Sequence, residues 1–481
     1  ITLRKTKIVC TIGPASGEVE TLKELIKAGM NVARINFSHG SYKEQEKFIN
    51  AVKQAREELG LPVALLLDTQ GPEIRTGKLK EAPVFLVTGE KFVLVNEDIE
   101  GDKNKVSVTY KELYKDVTQG TKILIDDGSI ELEVEKVEDK DIHCVITHGA
   151  KLGNRKTVNV PGIKLNLPSL KEKDIQDLKD AVKADFDYIA ASFVRRKQDV
   201  LDIRKVLNEN GGDKIKIIAK IENQEGIENQ KEILSVSDGI MVARGDMGVE
   251  IPLEQVPIVQ KQFIKSCYRE GKIVITATQM LESMTENPRP TRAEVSDVAN
   301  AIFDGTGAIM LSGESAMGKY PVECVKTMSK IADAIESNIK YWKRFRNREY
   351  DLKSLNYEFN LNYSICFTAM QMDAKAIIAY TECGDTPRII ASYLPACPIY
   401  AFTSNERTYR QLALYWNIHP FLLKKGDTVN HMLKIGIEKL KEQGKLAEGD
   451  TVVIAGGASI LKEDETIKDE VNRSIGGVLK L

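Results

Sequence analysis

Two carboxylates and a lysine stand out by where they fall in the chain. Lys220-Ile221-Glu222 closes the apolar run Lys216-Ile217-Ile218-Ala219, and Asp246 follows a second run, Gly239-Ile240-Met241-Val242, within Ala243-Arg244-Gly245-Asp246. Residues that end buried strands of one sheet converge at a common rim. Two carboxylates there suit Mg²⁺ or Mn²⁺, hard ions that take oxygen ligands and share their shell with water and substrate phosphate. A lysine beside such an ion suits a reaction that gathers negative charge, as phosphoryl transfer and enolate formation both do. Taken singly, either acid would be an ordinary strand-end ion pair, and Lys220 a barrel-interior lysine matched to a carboxylate. Their placement at two successive strand ends, among small residues, favours the metal reading.

Other apolar runs also end in polar residues. Arg34, Asn36 and Ser38 alternate after Asn31-Val32-Ala33, so a strand there would point all three to one side. Asp68 and Thr69 close Val63-Ala64-Leu65-Leu66-Leu67. An arginine with oxygens from Asn, Ser, Asp and Thr resembles a place for a phosphate and a cation together, although loop hydrogen bonding would account for it equally well. Thr276-Ala277-Thr278-Gln279 and Ser312-Gly313-Glu314-Ser315 add hydroxyls. A threonine hydroxyl can position a water or relay a proton, but strand-end threonines are common. Gly245-Asp246-Met247-Gly248 would offer backbone N–H groups to an anion if a helix starts there.

The positioning elements follow from the spacing. Eight short, continuously apolar runs alternate with helical periods, as expected of parallel strands buried on both faces. Between them, Glu20 to Ala28 places Leu22, Leu25 and Ile26 on one helical face, and Val200 to Leu207 does so with Leu201, Ile203 and Val206. The fold class is α/β, and eight βα units predict a (β/α)₈ barrel with its active site at the strand C-termini. About a hundred residues interrupt the pattern after Asp68, far too many for a structureless loop. They contain β-like segments at Phe92-Val93-Leu94-Val95, Lys122-Ile123-Leu124-Ile125, Glu131-Leu132-Glu133-Val134 and Ile142-His143-Cys144-Val145. We expect a barrel at 1–71 and 169–345, an inserted β lid at 72–168, and a C-terminal α/β domain at 346–481.

Composition excludes several classes. A net charge of −2 over 481 residues provides no basic field for nucleic acid. No run of apolar residues is long enough for a membrane-spanning helix, and Ile1-Thr2-Leu3-Arg4-Lys5-Thr6-Lys7 is too polar for a signal-peptide core. The seven cysteines form no C-x-x-C pair, which reads as reduced thiols in a cytoplasmic protein.

Ordered along nearly the whole chain, these blocks are similar to the pyruvate kinase family. They are Thr6-Lys7-Ile8-Val9-Cys10-Thr11-Ile12-Gly13-Pro14, Arg34-Ile35-Asn36-Phe37-Ser38-His39-Gly40, Asp68-Thr69-Gln70-Gly71-Pro72-Glu73-Ile74-Arg75-Thr76-Gly77, Lys220-Ile221-Glu222-Asn223, Ala243-Arg244-Gly245-Asp246-Met247-Gly248 and Ala277-Thr278-Gln279-Met280. The resemblance implies phosphoryl transfer from phosphoenolpyruvate to ADP, giving pyruvate and ATP, with protonation of the enolate left behind. It implies Glu222 and Asp246 as ligands of Mg²⁺ or Mn²⁺, and Lys220 as stabiliser of the phosphoryl group and the enolate oxygen. It implies Arg34 as the phosphate grip, Thr278 as an aid to proton delivery, and backbone N–H groups at Gly245 and Asp246 for the substrate carboxylate. Asn36, Ser38, Asp68 and Thr69 match the family's K⁺ site, and Glu73 matches members that tend to need K⁺. His39, Arg75 and Lys156 match nucleotide contacts. The inserted domain is expected to close over the barrel and limit hydrolysis by excluding water. A homotetramer is implied, with no nucleic acid or membrane partner.

The departures lie near the C-terminus. Thr381-Glu382-Cys383-Gly384-Asp385-Thr386 places two acids where members activated by fructose 1,6-bisphosphate cradle a phosphate. Ala458-Ser459-Ile460-Leu461-Lys462-Glu463-Asp464-Glu465 replaces a Gly-rich loop with Trp-Arg-Pro. Both argue against that effector. The rival enzyme reading, a metal-dependent lyase acting on enolates, has no use for the Arg34-to-Ser38 block or the insertion. The rival without catalysis, a nucleotide or sugar-phosphate sensor, is opposed by the intact catalytic positions.

Overall fold

The computed structural model describes residues 3–38, 40–348, 357–425, 428–456 and 475–481. Eight parallel strands close into a barrel: Lys7–Thr11, Val32–Asn36, Ala64–Asp68, Tyr188–Ala191, Lys216–Ile221, Gly239–Ala243, Ile273–Ala277 and Ala308–Leu311. We number these barrel strands one to eight in chain order. The chain needs this closure because the strands carry apolar residues on both faces. One face packs inside the barrel through Val9, Leu66, Ile218 and Met310, and the other packs against the helices through Ile8, Leu65 and Ile217. The register sets Asn36 beside Asp68 and Asp68 beside Ala190, so the ends of the second, third and fourth strands share one level.

The helices follow the apolar periodicity with one exception. Helix Val19–Ala28 buries Leu22, Leu25 and Ile26, as their spacing predicts. Helix Lys197–Glu209 buries Val200, Ile203 and Leu207, whereas Leu201 faces solvent and Val206 is half-buried. The expected face was rotated: Val200, Ile203 and Leu207 form the i, i+3, i+7 stripe, and Leu201 sits about 100° around the helix from Val200.

The insertion is a β domain with its own apolar core. Seven strands pair in the order Ile74–Arg75, Thr157–Asn159, Lys122–Ile125, Ile130–Glu138, Asp141–His148, Lys91–Val95 and Lys105–Ser107. Phe92, Ile123, Ile125 and Leu132 are buried among them. Both connections to the barrel are fixed at the rim. On the way out, Gly71 has φ +72°, and a Cβ there would meet the Ser192 carbonyl oxygen at 2.7 Å, so only glycine fits without a backbone shift. On the way back, the Arg195 guanidinium donates to the carbonyls of Leu165 at 3.1 Å and Leu167 at 2.9 Å.

A five-stranded sheet forms the C-terminal unit, in the order Ile418–Leu422, Ile399–Thr403, Ala376–Tyr380, Thr451–Gly456 and Ile475–Lys480, with the last strand antiparallel. The expected division after residue 345 falls inside helix Tyr341–Asn347. Arg410 ties this unit to the barrel: Nε donates to Asp187 Oδ1 at 2.9 Å and Nη2 to Asp185 Oδ2 at 2.8 Å. Asp187 is fully buried and also accepts from the Leu65 amide at 2.9 Å. Arg410→Met strands that buried carboxylate and is expected to cost about 3–5 kcal/mol. The check is a lowered thermal midpoint, and an unchanged one would remove Arg410 as the tie. No helix among the described residues is long and apolar enough to cross a membrane.

Candidate active site

The C-terminal ends of barrel strands two to five bring four of the expected residues into one cluster of hydrogen bonds and ion pairs. Asp68, fully buried, is its centre. Its Oδ2 accepts from Arg34 Nε at 2.6 Å, and its Oδ1 accepts from Lys220 Nζ at 3.0 Å. Lys220 also donates to Ser192 Oγ at 2.7 Å and lies 3.2 Å from Glu222 Oε1. Arg34 Nη1 donates to Thr11 Oγ1 at 2.8 Å, which spans from the second strand to the first. Burial opposes the Asp68 charge, but Arg34 and Lys220 outweigh it and hold the carboxyl below its usual range. Burial likewise opposes the Lys220 ammonium, and Asp68 and Glu222 overcome it, so the lysine stays charged.

Glu222 is the under-satisfied member. Its Oε2 accepts from the Phe193 amide at 2.6 Å. Its Oε1 is buried and has no hydrogen-bond partner, because Lys220 is near enough for its charge to be felt but not aligned to donate. Burial pushes the Glu222 carboxyl up; Lys220 opposes this and the charge of Asp246 adds to it. A buried, unpartnered carboxylate oxygen with a second acid nearby is a group that a divalent cation would satisfy. Among the described residues no three His, Cys, Asp or Glu side chains group tightly enough to hold an ion by themselves. The donor set therefore fits an ion such as Mg²⁺ or Mn²⁺, which takes one or two carboxylates and fills its shell with water and substrate oxygens. Asp246 faces a cleft of about 100 Å³ beneath the inserted domain, where Asn159 Nδ2 donates to Glu250 Oε1 at 2.7 Å.

Barrel strand seven contributes Thr278. Its φ of +67°, followed by +54° at Gln279, puts a β-branched residue in the left-handed region, a strained state found where surroundings impose it. Arg244 supplies that imposition: Nη2 donates to the Thr278 carbonyl at 2.6 Å, Nε to the Ala277 carbonyl at 3.2 Å, and Nη1 pairs with Asp297 at 2.7 Å. The Thr278 hydroxyl accepts from the Gly245 amide at 2.8 Å. A short helix, Arg244–Glu250, does start at this point.

These blocks match two family models: pyruvate kinase, barrel domain, over residues 3–325, and pyruvate kinase, alpha/beta domain, over residues 360–467. The chain belongs to the pyruvate kinase family. It is 49% identical to a pyruvate kinase of Clostridium acetobutylicum over 456 residues, covering 95% of this chain and 96% of that protein. It is 50% identical to one from Staphylococcus haemolyticus and 49% identical to one from Geobacillus stearothermophilus. Each of those alignments covers 95% of this chain and 78% of the relative.

The remaining positions that the family resemblance singles out are distributed as follows. Asn36, Ser38, Asp68 and Thr69 gather at one corner: Asn36 Oδ1 accepts from the Ser38 amide at 3.0 Å, and Ser38 Oγ lies 3.5 Å from the Thr69 carbonyl. Ser38 stands beyond the end of its strand rather than on it. Arg75 grips Glu73 with both arms, Nε to Oε1 at 2.7 Å and Nη2 to Oε2 at 3.0 Å. The charge of Glu73 is thus already balanced by an arginine. Lys156 and Arg75 sit on paired segments of the inserted domain, and Lys156 is matched to Asp126 at 2.9 Å. His39 lies outside the described residues, as does the 458–465 stretch. In the loop of residues 381–386, Asp385 is 3.3 Å from Arg388, and Glu382 accepts from Ser404 at 2.8 Å.

Ser192, Thr11 and Arg244 were not anticipated as parts of the site. Ser192 Oγ lies 2.6 Å from the Thr69 carbonyl and 3.1 Å from Asp68 Oδ1, and it seats Lys220. Arg244 falls inside the Ala243-Arg244-Gly245-Asp246 block, and that was the available signal.

Proposed function

We propose that the chain transfers the phosphoryl group of phosphoenolpyruvate to ADP, giving pyruvate and ATP. The observation that supports this best is the buried Lys220 ammonium, held charged between Asp68 and Glu222 beside an unpartnered Glu222 oxygen, in a chain of this family. Glu222 and Asp246 would hold the divalent ion, Mg²⁺ or Mn²⁺, which when bound supplies positive charge against phosphoryl and enolate oxygens. Lys220 stands ready to neutralise charge that appears on the transferring group and on the enolate oxygen. It is fixed in advance by Asp68 and Ser192, so little reorganisation accompanies the reaction. Arg34, anchored to Asp68 and Thr11, binds the phosphate from the other side. The Thr278 hydroxyl, placed by the Arg244 brace, helps deliver a proton to the methylene carbon. Backbone N–H groups at Gly245 and Asp246 take the substrate carboxylate. For the amide of Gly245 this requires Thr278 Oγ to release it, which frees an acceptor site on the hydroxyl while its proton still points to the Ala277 carbonyl at 2.7 Å.

The oxygens of Asn36, Ser38, Asp68 and Thr69 form the corner at which K⁺ would bind. With Glu73 matched to Arg75, the K⁺ reading rests on that oxygen set. His39, Arg75 and Lys156 are assigned to the nucleotide. Arg75 and Lys156 would then exchange Glu73 and Asp126 for phosphate oxygens as the inserted domain closes. The same family reading makes the protein a cytoplasmic homotetramer, and a solution mass equal to one chain would remove the assembly.

The deciding measurement is pyruvate formation from phosphoenolpyruvate and ADP with Mg²⁺, with K⁺ present or replaced by tetramethylammonium. Pyruvate that requires both ions is the expected result. Equal rates without K⁺ would keep the kinase and discard the cation corner. No pyruvate under any ion condition, from folded protein, would return weight to a nucleotide-binding sensor.

A further inference from the structure

Lys173 lies in the first turn of helix Glu172–Lys183, which follows the return from the inserted domain, and it takes no part in the acid cluster. Its Nζ donates to Asp177 Oδ2 at 2.6 Å and to the Phe37 carbonyl, 136 residues away in the chain, also at 2.6 Å. The pairing with Asp177 is an ordinary one-turn helical ion pair. The contact with Phe37 is different in kind, because Phe37 stands between Asn36 and Ser38, two of the oxygen donors of the cation corner. Phe37 is also held at its other points. Its ring is fully buried, edge-on to Phe186 with centres 6.2 Å apart, and its amide donates to the Asp68 carbonyl at 2.9 Å.

The Phe37 carbonyl and the Ser38 N–H belong to one trans peptide, whose planar geometry points them in opposite directions. Lys173 draws the carbonyl to one side. The Ser38 N–H is thereby aimed to the other, where it donates to Asn36 Oδ1 at 3.0 Å. That bond sets which way the Asn36 amide faces. An amide oxygen has two acceptor positions, so Oδ1 keeps one for an ion. The same peptide carries Ser38, whose Oγ lies 3.5 Å from the Thr69 carbonyl. Amide, hydroxyl and carbonyl oxygens of this kind fit K⁺, which accepts them in place of its water. We propose, on the K⁺ reading of that corner, that Lys173 is a positioning residue which sets the affinity for K⁺ through the Phe37–Ser38 peptide. Charge and geometry then make opposite demands on a variant. Removing the Lys173 ammonium leaves the buried Asp177 carboxyl without that partner, and on charge alone both changes draw a cation more tightly. Loss of the peptide's orientation weakens binding instead.

The test compares the full-length parent with Lys173→Met and Lys173→Arg. The probe is Tl⁺, a monovalent ion close to K⁺ in size, followed by ²⁰⁵Tl line broadening, beside the K⁺ dependence of pyruvate formation. The Lys173 side chain is 36% exposed, so both variants are expected to fold, and circular dichroism checks this. Lys173→Met should weaken Tl⁺ binding and raise the half-activating K⁺ concentration by about tenfold, the size of one lost charge-assisted hydrogen bond. Turnover at saturating K⁺ should stay within about twofold of the parent. Lys173→Arg keeps a charged donor for the Phe37 carbonyl and should retain most of the affinity. Parent-like or tighter Tl⁺ binding in Lys173→Met would overturn the proposal and leave the K⁺ reading intact. So would a large fall in turnover that saturating K⁺ does not repair. A parent protein that neither binds Tl⁺ nor responds to K⁺ would overturn both.

Discussion

Lys220→Met is expected to lower turnover by about 10²-fold, or roughly 3 kcal/mol of transition-state stabilisation, with the half-saturating phosphoenolpyruvate concentration changed only a few-fold. The split follows from where the lysine sits. Its ammonium is already committed to Asp68, Ser192 and Glu222 in the resting protein. It therefore adds little to ground-state binding and contributes most when new negative charge develops within reach. Arginine is no substitute, because the pocket is sized for a compact charge and a planar guanidinium would displace Ser192 or Glu222. Lys220→Arg should consequently fail to restore the rate. Steady-state kinetics on variants whose folding is verified by circular dichroism decides this, and unimpaired turnover in Lys220→Met would take the residue out of the chemistry.

Glu222→Gln separates binding from folding. The amide keeps the shape and can still accept from Phe193, but it cannot offer the buried oxygen as an anionic ligand. Divalent-ion affinity should fall by about 10²-fold or more, since removing even an outer-shell partner of a metal ligand costs about 10–100-fold. Turnover should fall with it. The thermal midpoint should change by no more than a few degrees, because a buried charge that is costly to desolvate goes with the ligand. Mn²⁺ binding followed by water-proton relaxation reads the first effect directly. Parent-like Mn²⁺ affinity in this variant would place the ion elsewhere.

The barrel was legible because its strands are short apolar runs buried on both faces, and the polar residue after each run marks the rim. Lys220, Glu222, Asp68 and Arg34 could be named on that basis, and the structure joins them in one cluster. What stayed hidden depended on closure of the sheet. Ser192 is a plain serine after a strand, and its importance comes from lying against Asp68 and Lys220, distant in the chain by 124 and 28 residues. Two C-terminal strands are hard to read in the sequence for a different reason. Ile418–Leu422 carries His419 and Pro420, and Ile475–Lys480 carries Gly476 and Gly477, so neither presents an unbroken apolar run. The Leu201 misplacement shows the limit of reading a helical face from a short window when two adjacent apolar residues compete for it. The pairing of Glu73 with Arg75 was also invisible, because a spacing of two residues does not say which neighbour an acid will choose.

Gly71 and Arg195 carry a mechanical consequence. One connection of the inserted domain is seated against the Ser192 backbone, and the other is gripped at two carbonyls by a buried guanidinium. Two fixed points define a line. Whatever travel the domain makes is rotation about that line, like a door on two hinges, rather than a free swing on a tether. Such a rotation would carry Lys156 along one arc, set by the two hinge points and independent of the residues at the outer edge of the domain.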